Sequence, residues 1–162
     1  MGLVTFLVLE DKNSEYKAIE QQIQDVCSAL GLGNPEPVRA KRLEEAMYFL
    51  DTFRRRPSPL IVIFDLHIGD DDIDKFVIER VLEVDDPVFK RAEVIVCTAY
   101  FDEKTGKTMQ NYRNTHAGLL RVNRLESRLH VLNKLSGRLG SELRKAIRTC
   151  MDNIAEQANR GI

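Results

Sequence analysis

Four positions along the chain carry side chains suited to handling a phosphoryl group: the pair Glu10-Asp11, then Asp65, Thr98 and Arg121. Carboxylates gathered in one crevice repel one another and raise each other's pKa. A hard divalent cation relieves that repulsion, and Mg²⁺ accepts carboxylates, waters and phosphate oxygens as ligands. Beside such an ion, the Asp65 carboxylate is a nucleophile for phosphorus, and the product is an aspartyl phosphate. The Thr98 hydroxyl and a cation would bind the phosphoryl oxygens.

These residues act together only if the fold gathers them. Residues 3–9 (LVTFLVL), 60–64 (LIVIF) and 94–97 (VIVC) are short, continuously apolar and rich in β-branched side chains. Such runs predict strands buried on both faces, as in a parallel central sheet. Weaker strands are expected at Glu36–Ala40 and Ala117–Val122. Amphipathic stretches lie between them. One helix carries Ile19, Ile23, Val26, Cys27 and Leu30 on a stripe, with Ser14 as its N-cap and Gly31 as its stop. A second carries Leu43, Ala46, Met47 and Leu50 and ends at Arg54-Arg55-Arg56-Pro57. Two more are expected near 73–84 and 104–114. Alternating strands and helices predict an α/β doubly wound sheet with right-handed crossovers. With five strands in the order 2-1-3-4-5, Glu10, Asp11 and Asp65 end adjacent strands at the switch point, where such sheets bind ligands.

At these residues the chain resembles the response-regulator receiver domains of two-component signalling, over about residues 3–135. The family's acidic pair after the first strand matches Glu10-Asp11, its phospho-acceptor matches Asp65, and its switch hydroxyl followed by Ala matches Thr98-Ala99. The resemblance implies a flavodoxin-like fold. It implies Mg²⁺ held by Asp11, Asp65 and the backbone carbonyl of His67, with Glu10 acting through water. It also implies a sensor histidine kinase or phosphotransfer protein upstream and a protein target downstream. The chain departs from the pattern in three places. Arg121 stands where the family has Lys, and no Pro follows it. Gly118, Leu119 and Leu120 fill the stretch that would hold the aromatic switch residue. Gly69 replaces the usual Pro after the acceptor. Arg is no simple stand-in for Lys, because its planar fork differs from a compact ammonium.

Each residue also has a plainer reading. Asp65 alone could cap a turn, Glu10-Asp11 could be a solvated loop pair, and Thr98 could be an ordinary strand residue. Arg121 fits a site cation and a salt-bridging surface residue equally. Asp70-Asp71-Asp72 reads as a solvated loop with helix N-terminal charges. Cys27, Cys97 and Cys150 read as small buried hydrophobes.

Composition bounds the function classes. The chain has 162 residues, 43% hydrophobic and 30% charged, with a net charge of −1, so disorder and a general pull toward nucleic acid are not expected. Three cysteines without a CxxC spacing suggest neither a disulfide framework nor a zinc motif, and a reducing cytoplasm is the natural compartment. The N-terminal apolar run lacks a basic leader region and reads as a strand rather than a signal peptide. No apolar run approaches the ~18 residues of a membrane span.

The reading divides the chain into a receiver-like body, 1–136, and a C-terminal helical extension, 137–162. Leu143, Ala146, Ile147, Cys150, Ile154 and Ala155 form one apolar stripe, with Ser141 as a cap. The alternative is one continuous helix, because Leu125, Leu129, Leu132, Ser136, Leu139, Leu143, Ala146 and Cys150 follow heptad-like spacing. Such a stripe must fold back on its own sheet or pair with a second chain, and a homodimer through these helices is the expectation. Two alternatives stand beside phosphorelay signalling. One is a pseudo-receiver that binds partners without phosphorylation. The other is a Mg²⁺-dependent phosphohydrolase, disfavoured because position 67 is His and leaves no DxD pair.

Overall fold

The computed structural model describes residues 4–55, 58–65, 67–68, 71–72, 92–98, 128–133 and 137–161. Five strands, β1 (Thr5–Leu9), β2 (Val38–Ala40), β3 (Leu60–Asp65), β6 (Glu93–Thr98) and β7 (Leu129–Asn133), form one sheet. The spatial order is β2-β1-β3-β6-β7 and every pairing is parallel, so the doubly wound α/β architecture is the one expected, 2-1-3-4-5. Two further two-residue strands, β4 (His67–Ile68) and β5 (Asp71–Asp72), pair antiparallel beyond the end of β3. The helices expected near 73–84 and 104–114, and the strand expected at Ala117–Val122, lie outside the described residues.

Side chains alternate across the sheet. On one face Leu7, Leu9, Val62, Phe64, Val94 and Val96 pack with Ala46 and Leu50 of α2 (Leu43–Arg55). On the other, Phe6, Val8, Ile61, Ile63, Ile95 and Cys97 pack under α1 (Asn13–Ala29) and α3 (Leu139–Asn159). Continuous apolarity in β1, β3 and β6 thus has its cause: both faces are covered.

The fifth strand of the sheet is Leu129–Asn133, paired with β6 through Val94↔Leu129 and Thr98↔Asn133. Leu129 and Leu132 therefore belong to a strand, and the heptad-like helix across them does not form. Leu129 and Val131 join the α2 face, while His130 and Leu132 turn to the other. A five-residue segment whose apolar members are Leu129, Val131 and Leu132 fits both periods, and pairing with β6 decides between them.

The C-terminal helix α3 folds back on the sheet. Leu143, Ala146, Ile147, Cys150, Met151 and Ile154 are all buried in the core shared with α1. Its apolar stripe is covered by the chain itself, without a second copy. Arg144 ties the two helices at their rim, donating from Nε to Gln22 Oε1 at 3.0 Å and reaching Asp25 at 3.4 Å.

Two helix starts differ from expectation. α1 begins at Asn13 with Lys12 as N-cap, and Ser14 lies inside the helix. The Glu10 carboxylate accepts the Lys12 N–H at 3.0 Å, so a side chain from the strand end helps shape the turn. α3 has Arg138 as N-cap, and the Ser141 hydroxyl donates to the Arg138 carbonyl at 3.1 Å instead of capping an N–H. The stop at Gly31 is as expected. Its φ of +71° lets Gly31 N–H reach Ser28 and Leu32 N–H reach Cys27, closing a Schellman turn. Among the described residues no helix is long and apolar enough to cross a membrane.

Candidate functional site

The sheet register aligns the strand ends. Leu9 pairs with Ala40 on one side and Phe64 on the other, Phe64 with Val96, and Asp65 with Cys97. The next residue after β1, Glu10, therefore comes level with Asp65, about one strand spacing (~4.8 Å) away along the main chain. Thr98 follows Cys97 and closes β6 opposite Asn133. The chain leaves β1 toward β2 and returns to β3 on the other side, so the crevice between β1 and β3 is the topological switch point. Glu10, Asp11 and Asp65 are brought to that crevice, and Thr98 to the end of the neighbouring strand.

The two members of the acidic pair differ in environment. Glu10 is 2% exposed, and its backbone N–H donates to the Ala40 carbonyl at 3.0 Å. Asp11 is exposed on the turn. For Asp65, His67 and Thr98 the main chain is described: Asp65 closes β3, His67 opens β4, and Thr98 closes β6. Arg121 and Asp70 lie outside the described residues, as does Lys134, which follows Asn133 in the chain.

Arg39, which sequence reasoning missed, fastens the acidic turn. It sits on β2 opposite Val8 of β1, so its side chain starts one strand away from the turn. Its Nε donates to the Glu10 carbonyl at 3.0 Å, one Nη to the Asn13 side chain at 2.8 Å, and the other Nη to the Asp11 carbonyl at 3.2 Å. The guanidinium also lies 4.6 Å from the centre of the Tyr16 ring. Tyr16 in turn donates to Glu20 at 3.2 Å, and its pKa is raised by burial and by the Glu20 carboxylate. The rigid fork of Arg39 thus grips main-chain oxygens of the Glu10–Asn13 turn. Nothing in the local sequence marks Arg39, because the contact depends on strand register.

Behind the edge, on the α1 and α3 face, lies a cavity of about 240 Å³ lined by Glu10, Glu15, Ile19, Cys97, Leu139 and Leu143, among others. Its wall is chiefly apolar, and Glu10 is where it meets the acidic edge. An oxygen-donor edge of this kind, with one carboxylate buried at its base, fits a hard divalent cation better than a soft one.

No protein-family model, curated protein or solved structure matches the chain. The functional reading therefore rests on its own residues.

A second polar cluster lies in the same α1 and α3 layer, toward the opposite end of β6. Glu93, His130 and Cys150 offer a carboxylate oxygen, an imidazole nitrogen and a thiol sulfur, all within 4.8 Å of one another. They come from β6, β7 and α3. Glu93 and Cys150 are fully buried, and His130 Nε2 lies 3.8 Å from Glu93 Oε1. Asn153 donates from Nδ2 to the same Glu93 oxygen. Arg128, itself buried, donates to the Ala92 carbonyl at 2.6 Å. Burial pulls the Arg128 pKa down to about 10, and the Glu93 charge works against that drop. The Cys150 thiol is pushed well up, first by burial and then by Glu93. Cys150 is a small buried side chain, as expected, but its neighbours are ionisable. The cluster has no local spacing signal, since its members lie on three separate elements.

Proposed function

We propose that this chain is a phosphorelay receiver, taking a phosphoryl group onto Asp65 from a histidine kinase or phosphotransfer protein and signalling through protein contacts. The observation that carries the reading is the meeting of Glu10-Asp11 with Asp65 at the switch point, with Thr98 ending the adjacent strand. In the reaction, a carboxylate oxygen of Asp65 bonds to phosphorus. The bond from phosphorus to the donor breaks, and the donor leaves with the electron pair. The Thr98 hydroxyl donates to a phosphoryl oxygen. Mg²⁺, when bound to Asp11, Asp65 and the His67 carbonyl, with Glu10 acting through water, supplies positive charge to the phosphoryl group. Arg39 keeps the Glu10–Asn13 turn in one shape, so the acidic pair is held before the donor arrives.

The position of the fifth strand changes the cation assigned to the site. Receiver-like chemistry wants a cation at that strand's C-terminal end, and the strand ends at Asn133. Lys134 is the next residue in the chain, so we assign the role to Lys134 in place of Arg121. One observation favours the pseudo-receiver alternative. β7 reads Leu-His-Val-Leu-Asn and carries no Phe, Tyr or Trp, so a relay through an aromatic on that strand is missing.

Incubation with Mg²⁺ and a small acyl-phosphate donor tests the proposal. One phosphate per chain is expected for the wild type and none for Asp65→Asn. Binding to a partner without any phosphate uptake would favour the pseudo-receiver. Sustained turnover of a phosphomonoester would favour a hydrolase.

A further inference from the structure

The Glu93, His130 and Cys150 cluster shares no residue with the proposed phospho-acceptor site. It is also an unusual object for a sheet–helix core. Its neighbours on the same layer are Ile61, Ile63, Ile95, Ile147 and Ile154, all buried. Polar groups in such surroundings are expected to be paired. Here the second Glu93 oxygen and His130 Nε2 have no hydrogen-bond partner among the described residues. Both belong to the same cluster as the Cys150 sulfur.

We propose that Glu93, His130 and Cys150 form a binding site for one zinc ion, which fastens α3 to strands β6 and β7. Carboxylate oxygen, imidazole nitrogen and thiolate sulfur are the three protein ligand types that Zn²⁺ uses. Hard cations such as Mg²⁺ and Ca²⁺ do not favour a sulfur and nitrogen set. With bonds of ~2.0–2.3 Å, two ligand atoms on a tetrahedral zinc stand about 3.3–3.8 Å apart. The 3.8 Å between His130 Nε2 and Glu93 Oε1 lies within about 0.5 Å of the ~3.3–3.4 Å that a nitrogen–oxygen pair spans on zinc. A contraction of about 1 Å brings the widest separation in the cluster, 4.8 Å, into it.

The surroundings supply the outer contacts such a site needs. Asn153 donates to the Glu93 carboxylate and so orients it, the usual task of a group just outside the ligands. Metal binding would displace the Cys150 proton, and Glu93 with the resulting thiolate would set two negative charges against the dication. His130 is 18% exposed at its side chain, which gives the otherwise buried cluster a route to solvent. A nucleophilic role for Cys150 does not fit, because its sulfur is sealed at 0% exposure and no substrate reaches it. A fourth ligand position is left to water.

Cobalt titration of the full chain tests the site. Co²⁺ added to the chelator-treated protein should bind one per chain, show a thiolate-to-metal charge-transfer band, and be displaced by one equivalent of Zn²⁺. Cys150→Ser should abolish the band, whereas Cys27→Ser and Cys97→Ser should keep it. His130→Gln and Glu93→Gln should each weaken binding at least tenfold. Asn153→Ala should weaken it about 10–100-fold. Zinc should raise the melting temperature of the wild type and leave that of His130→Gln unchanged. His130 is partly exposed, so this variant tests the site even if Cys150→Ser folds poorly. Absence of the band in the folded wild type, its survival in Cys150→Ser, or equal affinity in His130→Gln would overturn the proposal.

Discussion

Ile147→Ala probes whether α3 belongs to the core or is an appended helix. Ile147 is 0% exposed and sits in the core with Phe6, Ile63 and Ile95 of the sheet and Ile23 and Val26 of α1. The substitution removes three methylene equivalents, worth about 2.4 kcal/mol at ~0.8 kcal/mol each. An unfilled cavity adds to this, and Ile→Ala changes at sealed sites cost about 2–5 kcal/mol. A loss near 3 kcal/mol is therefore expected. For a chain of this length that is a melting-point drop of about 6–12 °C. Urea unfolding followed by circular dichroism should show one transition, a lower midpoint and an unchanged slope. The midpoint should not move with protein concentration, since the stripe is covered intramolecularly. Arg148→Ala, on the exposed side of the same helix, should change stability by less than about 0.5 kcal/mol. An unchanged midpoint in Ile147→Ala, or a wild-type midpoint that rises with concentration, would refute the placement of α3.

Three further outcomes are expected. Arg39→Ala should cost about 1–3 kcal/mol in urea, because it removes charged hydrogen bonds to the Glu10–Asn13 turn, and should slow phosphate uptake more than Arg42→Ala does. Burial raises the Cys27 thiol pKa in the native state, so above about pH 8.5 the unfolded chain loses that proton while the native chain keeps it. Cys27 thus lowers stability as pH rises, by at most about 1.4 kcal/mol per pH unit, and the decline between pH 8 and 10 should be shallower in Cys27→Ala. Lys134→Ala should reduce phosphate uptake at least tenfold and Arg121→Ala less than twofold, estimates of the order set by losing one charge-assisted contact (about 1.4 kcal/mol or more); the reverse ranking would return the role to Arg121.

The central strands were legible because β1, β3 and β6 are buried on both faces, which leaves a continuous apolar signature. Alternation and handedness point to a doubly wound parallel sheet, but the order 2-1-3-4-5, and with it the meeting of Glu10 and Asp65, comes from the receiver-like arrangement rather than from spacing. The edge strand was not legible. Leu129-His130-Val131-Leu132-Asn133 is short and half polar, and its leucines also fit a helical seam that runs into α3. Reading Leu129 and Leu132 into a helical seam made α3 look like surplus, while Arg121 and the strand expected at 117–122 lie outside the described residues. Arg39, and the cluster of Glu93, His130 and Cys150, left no local trace. They depend on which residues face each other across strands and layers, and no spacing within one element encodes that.

The most direct test of the central claim is to locate the phosphate. The wild type, treated with Mg²⁺ and an acyl-phosphate donor, should gain one phosphoryl group by intact mass, and peptide mapping should assign it to Asp65. Omitting Mg²⁺ or substituting Asp65→Asn should abolish it. No uptake from the donor or from histidine kinases, or equal uptake by Asp65→Asn, would contradict the account.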